Sequence, residues 1–145
     1  MDGPDRRRSA WVAALIGVGV MAAVDEIVFH QILAWHHFYD RSTPQVGLMA
    51  DGLLHAAELV MLVAGIFLVA DLARRRALHH GAVAAGLLLG AGGFQLFDGV
   101  VVHKVLRLHQ VRYDVDLLAY DVAWLASGAL LALAGMLLLL RTRRA

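Results

Sequence analysis

The chain has 145 residues, enough for one domain, and 60 % of them are hydrophobic. With a mean hydropathy of +0.66, a net charge of +1 and only 17 % charged residues, it has too little polar surface for a soluble domain. The absence of cysteine excludes disulfides, thiolate metal sites and cysteine nucleophiles, so any metal must rely on His, Asp, Glu, Met or backbone ligands.

In chain order, a polar segment with Arg6, Arg7 and Arg8 precedes an apolar stretch over 10–38. A secretory leader has a similar start, but this stretch has a counterpart later in the chain and reads as a retained helix. Further apolar stretches cover about 47–72, 80–110 and 116–141. Each exceeds the roughly 20 residues that span a bilayer as a helix. The connections near 40–44, 74–80 and 111–116 are short, so successive helices run antiparallel. The expectation is an all-α, integral-membrane four-helix bundle occupying residues 1–145 as a single domain.

Nine basic residues (Arg6–Arg8, Arg74–Arg76, Arg141, Arg143, Arg144) fall on one side of the spans. Four (Arg41, Lys104, Arg107, Arg112) fall on the other. The positive-inside rule puts both termini in the cytoplasm of a bacterial inner membrane.

The sequence repeats. At an offset of 73, Asp25 aligns with Asp98, His30 with His103 and His36 with His109; at an offset of 70, Asp51 aligns with Asp121. Apolar similarity can arise from composition, but matching Asp and His spacing is harder to obtain that way. The pattern predicts a duplicated transmembrane hairpin with a pseudo-two-fold axis along the membrane normal, and with the first and third helices diagonal to each other.

Helical rise carries Asp25, His30, His55, Glu58, Asp98 and His103 into one layer of the outer half, which Asp51 and Asp121 enter from the outer surface. Ionisable groups at this depth are costly unless paired or ligating, and they face the bundle interior. The candidate metal set is His30, His55 and His103, with Asp25, Asp51, Glu58 and Asp98 as further ligands or supporting acids. Imidazole suits copper, zinc or iron, and Asp51 with His55, and Glu26 with His30, are candidate carboxylate–imidazole supports. His36, His37 and His109 lie at the interface, where solvated histidine is ordinary, and their role stays open. His79 and His80 fall in a loop and read as solvated. Trp11, Trp35, Tyr39, Tyr113 and Trp124 read as interfacial aromatics. Gly17, Gly19, Gly90, Gly92 and Gly93 read as close-packing positions. No phosphate loop, catalytic triad or nucleic-acid module is present.

The segments DEIVFHQILAWHH (25–37), DGLLH (51–55), DGVVVHKVLRLHQ (98–110) and Asp121 to Trp124 resemble a domain-of-unknown-function family of small bacterial four-helix membrane proteins. Glu26 stands where a Gly is expected after the first Asp, whereas Gly99 keeps it. The His-rich helical style is similar to that of CtaG-like proteins of cytochrome oxidase assembly. That similarity implies copper and a respiratory-chain assembly partner alongside the lipid bilayer; a second copy of the chain is the other candidate partner, since four spans are few for a transporter. Two other functions fit the same residues: a haem b held by His30 and His103, and a proton- or ion-conducting subunit. The sequence does not decide whether the protein is an enzyme.

Overall fold

A computed structural model describes residues 4–142. The expected contribution of Arg143 and Arg144 to the charge bias lies outside them. The described residues form four long helices and no strand. These are α1 (Arg6–Val24, continued as a π-helix over Asp25–Ile32), α2 (Pro44–Arg74), α3 (His80–Phe97, continued as a π-helix over Asp98–Leu106) and α4 (Leu117–Arg141). All four are long and apolar enough to cross a membrane. Their exposed surface is hydrocarbon: Leu53, Val60 and Phe67 on α2 and Leu118 and Leu130 on α4 stand outward, as a lipid environment requires.

Each helix begins on a side-chain cap. Asp5 accepts from Arg8 N, Thr43 from Val46 N ahead of Pro44, His79 from Ala82 N and Asp116 from Leu118 N. His79, expected to be a solvated loop residue, is thus a structural cap.

α1 and α3 form the central pair, with α2 against α1 and α4 against α3. This corrects the expectation that the odd helices lie diagonally. They meet backbone to backbone because glycine removes the intervening side chains: a Cβ on Gly86 would overlap the carbonyl of Ala10, and one on Gly90 that of Ala14. Gly65 makes room for Ile16 between α1 and α2, and Gly92 and Gly135 do the same between α3 and α4. Gly93, in contrast, faces open space.

The first and third helices stop at Ile32 and Leu106, well before the expected 38 and 110. Both stops have the same geometry. Ala34 (φ 48°) and Arg107 (φ 52°) adopt left-handed backbone. Trp35 N then bonds Phe29 O, and Leu108 N bonds Val102 O. These features are related by the offset of 73. They fold segments 33–43 and 107–116 back over one end of the protein, the end opposite both termini.

Candidate metal centre

The site begins with the π stretches. Asp25 and His30 are five residues apart, as are Asp98 and His103. In an α-helix that separation turns the two side chains about 140° apart. In a π-helix, whose hydrogen bonds run i to i+5, residues five apart lie on one face. The switch from α to π at Asp25 and at Asp98 therefore aims each carboxylate at its own histidine. Asp98 Oδ2 lies 2.9 Å from His103 Nε2, and Asp25 Oδ2 lies 3.6 Å from His30 Nε2. All four residues are about 98 % buried, each being 2 % exposed.

The folded-back segments then bring in two more imidazoles. His36 Nδ1–H donates to Val111 O (2.8 Å), and His109 Nδ1–H donates to Phe38 O (2.9 Å). A carbonyl only accepts, so the proton must sit on Nδ1, and Nε2 of each neutral ring presents a lone pair to the interior. Burial, reinforced by the neighbouring histidines, depresses His36 to about 2. It depresses His109 to about 4, although Asp98 acts against it. Both rings are neutral at ordinary pH. They stack at 4.5 Å with 7° between their planes.

His109 Nε2 lies 2.9 Å from His103 Nε2 and 3.7 Å from Asp98 Oδ1. Ligand atoms 2.0–2.2 Å from a tetrahedral ion sit about 3.4 Å apart, so these separations suit a small cation. Three groups of possible ligand atoms, each mutually within 4.8 Å, occur among the described residues: Asp98–His103–His109, His30–His36–His109, and Glu26–His30–Asp51. His36 Nε2, His30 Nε2, His103 Nδ1 and Asp25 Oδ2 are buried and have no hydrogen-bond partner.

Asp51 orients this assembly from α2. Its carboxylate accepts from Phe38 N (2.7 Å), His37 Nδ1 (2.5 Å) and His30 Nδ1 (3.1 Å), and Glu26 Oε2 stands 2.8 Å from the same His30 nitrogen. With Nδ1 donating to Asp51, His30 turns Nε2 toward Asp25.

Of the residues singled out in the sequence, His30, His103, Asp25, Asp51 and Asp98 come together. His55 does not: its side chain is 57 % exposed, directed outward from α2, and pairs only with Glu58 (2.5 Å). Its expected support from Asp51 goes instead to His30 and His37. Glu58 is buried, but it belongs to none of the three groups. His36, His109 and Glu26 join the centre, and the sequence did carry a signal for the first two: six residues separate His30 from His36 and His103 from His109. Trp124, expected at the interface, is 8 % exposed and packs 6.4 Å from the His103 ring.

Comparison with curated proteins and with solved structures returned no match. A family model described as "Predicted membrane protein (DUF2243)" matches residues 12–142. That span holds all four helices except residues 6–11 of α1, and every residue of the centre, and the chain belongs to this DUF2243 family of membrane proteins.

Proposed function

We propose that the protein is a membrane metalloprotein that holds one transition-metal ion in the His/carboxylate centre near the outer face of a bacterial inner membrane. The observation that carries this reading is the pair of histidines anchored through Nδ1 to backbone carbonyls, which leaves neutral Nε2 lone pairs in a buried pocket with Asp98. His109 Nε2 has His103 Nε2 as its neighbour at 2.9 Å, but His36 Nε2 is buried with no partner, which is unfavourable unless a cation joins it. Asp98–His103–His109 is the most compact ligand set, and His30–His36–His109 is the neighbouring one. Because His109 has a single free nitrogen, it serves one ion at a time. Nitrogen and oxygen donors without thiolate fit copper, zinc or iron. The CtaG-like style favours copper, and metal handling or redox chemistry is the work such a site would do. The arginine bias supports cytoplasmic termini.

A small ion fits better than haem. Nε2 of His103 already points at a carboxylate and a second imidazole 2.9 Å away, where a haem iron would have to stand.

Elemental analysis of the purified protein tests the reading. It predicts one equivalent of metal per chain, retained in His55→Ala and lost in His109→Ala, because His109 belongs to both histidine-rich sets. Absence of stoichiometric metal, together with stability indifferent to chelators, would overturn it; proton flux in liposomes lost on Asp98→Asn would then favour a conducting subunit.

A further inference from the structure

At the end that carries both termini, opposite the metal centre, a cavity of 570 Å³ lies between α1, α3 and α4. α4 packs on α3 and has no substantial packing against α1, so an open groove runs between the two. Its floor is where α1 and α3 touch backbone to backbone, at Ala14 and Gly90, and Val18, Leu89 and Leu139 line its deeper part. From Arg6 to Val18 the helix rises about 18 Å. That lies between half of the hydrocarbon core and half of the whole bilayer, about 15 Å and about 22 Å. The groove has the depth of one lipid leaflet.

Its chemistry changes along that depth. The deeper part is hydrocarbon and the mouth is cationic. The polar side chains among the lining are Arg6, Arg7 and Trp11, and all three are hydrogen-bond donors that accept nothing. Among the described residues Arg74 and Arg75 pair with Asp71, whereas Arg6 and Arg7 have no carboxylate partner. Arg6 is part-buried, and its Nη1 is sealed in the protein without an acceptor. A ligand cannot reach that nitrogen, but the guanidinium charge is delocalised, and an anion on the groove side of the same group neutralises it. Apart from the Asp5 cap, the first turn of α1 carries arginines and no acid, against the preference of the helix dipole. A negative group at the mouth relieves both. A zwitterionic headgroup brings its own cation, and no acid lines the mouth to receive it. A soluble anion leaves the apolar depth unfilled.

We propose that this groove binds a phospholipid of net negative charge from the leaflet that holds both termini, its phosphate on Arg6 and Arg7 and one acyl chain against Val18, Leu89 and Leu139. Basic pockets between transmembrane helices recognise such headgroups. The assignment stands on the cavity and its donors, and does not depend on the metal reading.

Trp11, 70 % exposed at the mouth, is the reporter. The full chain is placed in phosphatidylcholine nanodiscs with increasing fractions of lipid brominated on its acyl chains, and the Trp11 signal is the difference from a Trp11→Phe chain. Brominated phosphatidylglycerol should half-quench that signal at a mole fraction about thirtyfold below that of brominated phosphatidylcholine, as two arginines near an anionic headgroup imply. Arg6→Gln and Arg7→Gln should each lower the preference about fivefold. Arg8→Gln, which removes a neighbouring charge outside the groove, should leave it unchanged. Leu139→Phe, which fills the groove and keeps every charge, should weaken it. Equal mole fractions for the two lipids in the unsubstituted chain would overturn the proposal, whether or not the variants fold. So would an Arg8→Gln loss as large as that of Arg6→Gln, or a preference unmoved by Leu139→Phe, since either means diffuse attraction. Displacement of the lipid by inorganic phosphate would also overturn it, in favour of a site for a free anion.

Discussion

Replacing Asp51 by alanine removes the acceptor on which three donors converge. The effect can be worked group by group. His30 Nδ1 loses its hydrogen-bond acceptor; Glu26 Oε2, 2.8 Å away but not hydrogen-bonded to it, is the group that can take over by reorienting. The His37 side chain is 30 % exposed and can exchange its lost partner for water. Phe38 N, held at 2.7 Å in a part-buried position, has no replacement. One orphaned donor costs about 1–3 kcal/mol, and the weaker losses at the two imidazoles bring the expected destabilisation of Asp51→Ala to about 2–3 kcal/mol. The control is Asp121→Ala at the corresponding place on α4. Asp121 pairs with Lys104, whose side chain is 38 % exposed, so that change should stay within about 1 kcal/mol. Equilibrium unfolding of metal-free protein in mixed detergent micelles measures both. Asp51→Ala should also weaken metal binding roughly 10–100-fold in a chelator competition, as expected for a group that orients ligands. If Asp51→Ala proves no more destabilising than Asp121→Ala, Asp51 does not anchor the 33–43 segment and the assignment of its role is wrong.

Acidification should destabilise the metal-free protein. The folded-state values of His36 (about 2) and His109 (about 4) lie below the ordinary 6.5, so below pH 6.5 the unfolded chain takes up protons that the folded chain refuses. Their contribution is complete above pH 6.5 and fades toward pH 4 by about 1.4 kcal/mol per pH unit for each group. Denaturation midpoints at pH 7 and pH 5 should differ, with a shallower slope in His36→Gln/His109→Gln; identical midpoints would count against buried neutral rings. Gly90→Ala should destabilise by about 1–3 kcal/mol, because its Cβ overlaps the Ala14 backbone. Gly52→Ala meets nothing within 4 Å and should be neutral or mildly stabilising in the same unfolding assay.

The all-helical class and the four stretches long and apolar enough to cross a membrane were legible in the sequence, because hydropathy determines them. The ends of the first and third helices were not. Ala34 and Arg107 take a conformation usually left to glycine or asparagine, so no residue type marked the chain reversal. An α-helix drawn through to 38 and 110 carries His36 and His109 past the site, which is why their role stayed open. The π stretches were hidden for a related reason. Asp and His five apart share no face of an α-helix, so the direct Asp98–His103 contact had no signature in the helical periodicity. His55 misled in the opposite direction, since its phase on α2 relative to Glu58 did not reveal that only Glu58 turns inward.

The exchange of hydrogen bonds between the two folded-back segments has a mechanical consequence. His36 takes its anchor from segment 107–116, and His109 takes its anchor from segment 33–43. Neither segment orients its own histidine. Displacing either one releases a ring on the other and carries away its own, so the two rings respond as one latch.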